Sequence, residues 1–285
     1  MRLLFLGDIV GRAGRAAVAE HLPILSALLK PDAVIINAEN AAAGFGLTRK
    51  IADDLFALGA DCLTTGNHVW DQREMIQTIG ADKRILRPVN YPPDQPGQGA
   101  VKLSLAAGQI LVINVMLRLF MDPLDDPFRA VDRIIADHPL GGAVQAIIVD
   151  MHGEATSEKM AFGHFLDGRV SLVVGTHTHV PTADTMVLVG GTAYQTDAGM
   201  CGDYDSVIGF EKAAPIARFV KKMPGERLTP ASGEGTVCGV VADLDPTTGL
   251  ATGAWAVRVG GRLAQSLPPD PPPDPPPDPS LGREG

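Results

Sequence analysis

The chain has 285 residues, 45% hydrophobic and 20% charged, with a formal net charge of −9 and three cysteines. Those proportions support a full α/β core and exclude a disordered chain, while the acidic balance and the lack of a dense Lys/Arg tract exclude an extended nucleic-acid-binding face. Cys62, Cys201 and Cys238 are scattered without C-x-x-C spacing, which excludes a disulfide framework and points to a reducing compartment, the cytoplasm.

The opening residues MRLLFLGDIVG hold an apolar run of about five residues, short of the roughly 7–15 that a signal peptide needs. No stretch approaches the roughly 20 apolar residues of a membrane span. Residues 3–7 instead read as a short buried strand, followed by a long helix over 11–30. A second strand at 33–37 ends at Glu39 and Asn40, and 48–58 is amphipathic and helical. A third strand at 62–65 leads into GNHVWD and a helix near 73–79. Strands at 101–105 and 110–115 precede a helix at 129–136, a strand at 146–149, a helix at 160–166 and a strand at 172–174. Segments 185–188, 193–196, 237–244 and 254–259 complete the β content, with Thr247-Thr248-Gly249 turning the last pair.

Strands that alternate with helices and then crowd together predict an α/β sandwich of two mixed sheets flanked by helices. One domain is expected over 1–266. The tail, 267–285, contains PPDPPPDPPPDP at 268–279 and reads as an extended, solvated arm, because proline fixes φ and donates no hydrogen bond.

Five polar motifs stand at the ends of predicted strands: GD at 7–8, NAEN at 37–40, GNHVWD at 66–71, DMHGEATSEK at 150–159 and GTHTH at 175–179. Ligands in α/β folds bind beyond the carboxyl ends of strands, where such loops converge. Asp8, Glu39, Asn40 and Asn67 offer oxygen donors, and His152, His177 and His179 offer imidazole nitrogens. This mixed set suits first-row ions, and seven donors exceed what one tetrahedral ion takes, so two ions sharing a carboxylate are expected. An H-x-H pair in extended chain points to opposite faces, so His177 and His179 need a turn, for which Gly175 is at hand.

In their order these motifs resemble the calcineurin-like metallophosphoesterases, and most closely the YmdB-like branch. The matching segments are GDIVGRAGR, NAEN, TTGNHVWD, DMHGEATSEK, GTHTHVPTAD and TDAGMCG, between Asp8 and about Gly209. Val10 stands where the wider superfamily has histidine. The resemblance implies that Asp8, Asn40 and His179 hold one metal, Asn67, His152 and His177 the other, and that Glu39 bridges them. The ions would be iron, with manganese or zinc as alternatives. It also implies that His68 is a catalytic histidine off the metals and that the substrate is a small cyclic nucleotide, 2′,3′-cyclic AMP above all. Within the match, Gly153 replaces the usual alanine, and Leu117 replaces a glycine in an N-L-M-G-R-like segment.

The chemistry expected is attack by a hydroxide bridging the metals, with His68 as general acid to the leaving oxygen and Asp71 a candidate to orient it. Glu154, Thr156, Ser157 and Lys159 are candidates for a substrate rim, though Thr156-Ser157 before Glu158 reads better as a helix cap. Arg12 and Arg15 read as solvated helix residues. Glycines at 7, 11 and 14 miss the dinucleotide register, and no G-x-S-x-G elbow is present. A phosphomonoesterase such as a nucleotidase, or a nucleotide-binding regulatory protein, are the alternative functions. The oligomeric state stays open, a homo-oligomer included.

Overall fold

A computed structural model describes residues 1–223 and 225–270. The chain opens with β1 (Arg2–Leu6), β2 (Asp8–Ile9) and α1 (Gly11–Leu29), then β3 (Ala33–Asn37), α2 (Arg49–Ala57), β4 (Cys62–Thr64) and α3 (Glu74–Thr78). It continues through β5 (Ala100–Leu105), β6 (Gly108–Met116), α4 (Pro127–Ala136), β7 (Ala146–His152), α5 (Thr156–Leu166) and β8 (Leu172–Thr176). β9 (Met186–Val187), β10 (Ala193–Gln195), β11 (Met200–Cys201), α6 (Ala213–Lys221), β12 (Val237–Leu244) and β13 (Ala251–Val259) complete it.

Two large sheets form, in the orders β13-β12-β1-β3-β4 and β5-β6-β7-β8-β10-β9. β1, β3 and β4 run parallel in the first, as do β6, β7, β8 and β10 in the second, with antiparallel strands at the edges. Strand alternation sorts the core into layers. Leu3, Phe5, Ala33, Ile35 and Val240 meet Val112, Ile148, Leu172 and Val174 between the sheets. Leu4, Leu6, Val34 and Ile36 point outward onto Val18, Leu22 and Leu25 of α1 and Leu55 of α2. Ile113, Ile147, Val149 and Val173 likewise cover Val131 of α4 and Phe162 of α5. Helix, sheet, sheet, helix is therefore the sandwich expected, and nearly continuous apolar runs in the parallel strands follow from burial on both faces.

β7 extends to His152, three residues beyond its expected end, because Asp150 and His152 stay in the ladder against Val174 and Thr176. α5 begins at Thr156 rather than at 160; its N-cap is Ala155, and no side chain caps it. Thr156-Ser157 is thus not a cap. Glu158 instead accepts the backbone N–H groups of Arg118 and Leu119. α6 had no forecast; it buries only Pro215, and Phe219 is 73% exposed. The tail reading falls mostly outside the described residues; Pro269 O accepts from Arg2 Nη1 at 3.4 Å.

The two departures at Leu117 and Gly153 are reciprocal. A Cβ at Gly153 would lie 2.7 Å from Leu117 Cβ, so the leucine occupies the space an alanine would take. Leu117 is not among the residues with positive φ, and its N–H donates to His152 O at 2.8 Å. Gly153→Ala should therefore destabilise the fold by about 1–3 kcal/mol through overpacking, and combined with Leu117→Gly, which removes the opposing Cβ, it should cost less than the sum of the two single losses. Urea unfolding of the two single variants and the double variant measures this; strictly additive losses contradict it.

Candidate metal centre

The carboxyl ends of β1, β3, β4, β7 and β8 lie at one edge of the sandwich, and all seven proposed donors gather there. Asp8 is fully buried; its Oδ2 accepts the His177 N–H at 3.2 Å, and its Oδ1 has no hydrogen-bond partner among the described residues. Burial pushes its carboxyl well above the ordinary range, against the pull of His152 and with Glu39 adding to it. A buried carboxylate oxygen with nothing to bond is costly unless a cation faces it.

β3 ends in Asn37, whose Oδ1 accepts the Glu39 N–H at 3.1 Å and whose Nδ2 donates to Asp150 Oδ2 at 3.0 Å. That turn aims Glu39 inward. Its Oε1 accepts from Asn40 Nδ2 at 3.1 Å and lies 3.3 Å from His152 Nε2; its Oε2 accepts the His68 N–H at 3.2 Å. Arg15 donates to Ala41 O, so it braces this turn from α1 rather than standing in solvent; Arg12 is exposed as expected. Beyond β4, a Cβ at Gly66 would sit 2.3 Å from both Glu39 Oε2 and His152 Nε2, and this bareness lets Asn67 reach the cluster.

His152 carries the clearest tautomer logic. Thr176 Oγ1 donates to Asp150 Oδ1 at 2.7 Å, so at 2.9 Å it accepts from His152 Nδ1. Nε2 is then a bare acceptor, and around it lie Asn67 Oδ1 at 2.8 Å, His177 Nδ1 at 3.1 Å and Glu39 Oε1 at 3.3 Å. Lone pairs packed against lone pairs require a positive charge among them. Without an ion, a proton serves: burial pulls His152 down, but the charge and hydrogen bond of Glu39, with Asp8 and Asp150, carry it up to about 9. Burial likewise works against Glu39, yet His152 holds it down at about 2. Ligand atoms of Glu39, His152 and His177 lie within 4.8 Å of one another, so the donor set fits a divalent ion.

The second group forms around His179. Its Nδ1 lies 2.8 Å from Ile208 O, which fixes the proton there and leaves Nε2 3.1 Å from Asn40 Nδ2 and 3.9 Å from Asp8 Oδ1. Asn40 turns its amide nitrogen inward, so a ligand role requires a half-turn that brings Oδ1 in. Burial lowers the pKa of both His177, to about 3, and His179, which suits neutral ligands.

The backbone solves the H-x-H problem at the histidines themselves, with φ of 97° at His177 and 67° at His179. Gly175 serves another purpose than expected. It lies inside β8, where a Cβ would stand 1.7 Å from Thr196 O, so glycine is needed for close approach and not for the turn.

Lys159 is not a rim residue. It is fully buried, donating to Asp197 Oδ2 at 2.7 Å and Thr176 O at 2.8 Å. Asp197 in turn accepts the N–H groups of Thr178 and Gly199, so the pair pins the loop holding both histidines. Glu154 does sit at the edge, its Oε2 3.4 Å from His177 Nε2, where it orients that ring. His68 stands beside the cluster with Nδ1 2.9 Å from Asp71 Oδ2. Unforeseen participants are Thr64, Thr176 and Asn37 around Asp150, Tyr204 accepting the Met200 N–H and donating to His179 O, and Phe45 edge-on to His68. TDAGMCG was the available signal for Asp197, and DMHGEATSEK for Asp150.

A two-sheet sandwich with this donor cluster at its carboxyl edge is the architecture of the metallophosphoesterases. The family described as YmdB-like protein matches residues 4–256, and the chain belongs to it. It is 47% identical over 248 residues to the 2′,3′-cyclic-nucleotide 2′-phosphodiesterase of Bacillus subtilis, covering 87% of this chain and 93% of that protein. A crystal structure of a hypothetical protein from Thermus thermophilus superposes with a TM-score of 0.85 at 41% identity, over 92% of this chain and 100% of that one. A novel phosphatase from Mycoplasma pneumoniae does so with a TM-score of 0.84 at 32% identity, over 91% and 93%. Among the described residues, no helix is long and apolar enough to cross a membrane.

Proposed function

We propose that the chain is a phosphodiesterase that opens nucleoside 2′,3′-cyclic phosphates at a pair of metal ions. The observation that carries this reading is the ring of facing acceptors around His152 Nε2, with the unpartnered Asp8 Oδ1 beside it. Asp8, Asn40 and His179 hold one ion, Asn67, His152 and His177 the other, and Glu39 stands between the two groups. Iron is the first expectation, with manganese and zinc next. When bound, the ions supply positive charge to the phosphate oxygens and acidify a water. The relative's name indicates that the P–O2′ bond breaks: the water oxygen joins phosphorus and a proton goes to O2′, leaving a nucleoside 3′-phosphate. His68 supplies that proton, with its other nitrogen tied to Asp71. The three cysteines are buried and free, which supports a reducing, cytoplasmic setting.

Elemental analysis beside turnover tests the reading. The expected outcome is about two ions per chain, hydrolysis of 2′,3′-cyclic AMP to the 3′-phosphate, loss on chelation and recovery on adding metal. Hydrolysis of p-nitrophenyl phosphate with none of 2′,3′-cyclic AMP or bis-p-nitrophenyl phosphate would make it a phosphomonoesterase. A metal-replete protein silent on every ester would make it a regulatory binder.

A further inference from the structure

A cavity of about 370 Å³ adjoins His68, lined by Phe45, Asp71, Gln72 and Arg227. Asp71 belongs to both places, since it lines the cavity and holds His68 Nδ1 at 2.9 Å. Phe45 is presented deliberately by its loop. Gly44 and Gly46 have φ of 86° and 80°, and a Cβ at either would lie 2.8 Å from Phe210 or Gln72 atoms respectively. Gln72 Nε2 donates to Phe45 O at 2.8 Å, and Phe210 stacks on the Phe45 ring at 5.1 Å and 25°. The ring is thereby fixed before any ligand arrives, which lowers the ordering cost of stacking against it. Across the cavity, Arg227 has no hydrogen-bond or ion-pair partner among the described residues, although the protein is acidic overall.

We propose that this cavity receives the nucleobase of the substrate, with Phe45 as its stacking wall and the Arg227 guanidinium as its outer wall. The assignment rests on the cyclic-nucleotide reading above. In a 2′,3′-cyclic nucleotide the ribose separates phosphate from base, so a phosphate at the metal cluster sends the base past His68 toward this recess. Every base has a π-face, and aromatic rings and guanidinium planes both accept one, so the recess selects a base without selecting which.

The test uses the metal-loaded full chain and two cyclic diesters, 2′,3′-cyclic AMP and the base-free glycerol 1,2-cyclic phosphate. Phe45→Leu, which keeps an apolar side chain on Phe210, should raise KM for 2′,3′-cyclic AMP by about 5–100-fold, with a much smaller change in kcat. The preference for 2′,3′-cyclic AMP over the base-free diester should fall by a like factor. Phe45→Trp should restore it, and Arg227→Ala should shift KM in the same direction by less. If Phe45→Leu slows both substrates alike, the ring only supports His68 and the proposal is overturned; no change on either overturns it too. Calorimetric binding of adenosine separates this from the reaction itself. Phe45-dependent adenosine binding without turnover of 2′,3′-cyclic AMP upholds the cavity and sinks the reaction. Turnover with no dependence on Phe45 does the reverse.

Discussion

His68→Gln should lower kcat on 2′,3′-cyclic AMP by about 10²–10⁴ while leaving the metal content unchanged. The backbone N–H of His68 donates to Glu39 Oε2 at 3.2 Å, so its main chain is anchored to the cluster, but its ring points to Asp71 and Phe45. With Nδ1 committed to Asp71, the ring offers Nε2 to the leaving oxygen. Glutamine keeps the backbone bond and much of the volume but cannot transfer a proton, so ion content and turnover should separate. The contrast is a substrate whose leaving group needs no proton: on bis-p-nitrophenyl phosphate the loss should shrink markedly. Loss of metal from the variant would make His68 a ligand, and an equal loss on both substrates would remove its role as an acid.

The parts of this molecule visible in its sequence are those governed by local pattern. Apolar runs such as Leu3–Leu6 in one sheet and Ala146–Val149 in the other are buried continuously, and both sheets follow from runs of this kind. The polar motifs were visible because each interrupts such a run at its carboxyl end. What stayed hidden depends on partners remote in the chain. Lys159 looks like a surface residue of a helix start, and only its pairing with Asp197, 38 residues on, turns it inward. Asp150 stays within β7 because Asn37, Thr64 and Thr176 arrive from three other strands to satisfy it. Gly175 offered flexibility as its obvious meaning, whereas the demand came from the approach of Thr196 O. Leu117 and Gly153 each looked anomalous alone and make sense only as a pair in contact.

Breaking the Lys159–Asp197 pair should cost far more stability than an ordinary surface change. Both side chains are fully buried, and removing one partner of such a pair costs about 3–5 kcal/mol, because the remaining charge has no water to replace it. Lys159→Met keeps the aliphatic stem and removes the ammonium. It strands the Asp197 carboxylate, relieved in part by the N–H groups of Thr178 and Gly199, and it deprives Thr176 O of a donor. The loss should therefore fall toward the lower end of that range, as read by denaturant midpoint at constant m. Its functional echo follows from position, since Thr178 lies between His177 and His179, whose left-handed backbone is held by this anchor. Metal retention should weaken along with stability. Adding Asp197→Asn to Lys159→Met removes the stranded charge and should recover part of the loss, giving a coupling energy between the two positions. A single variant within about 0.5 kcal/mol of the parent, the range of ordinary surface changes, would show that the pair does not anchor the loop.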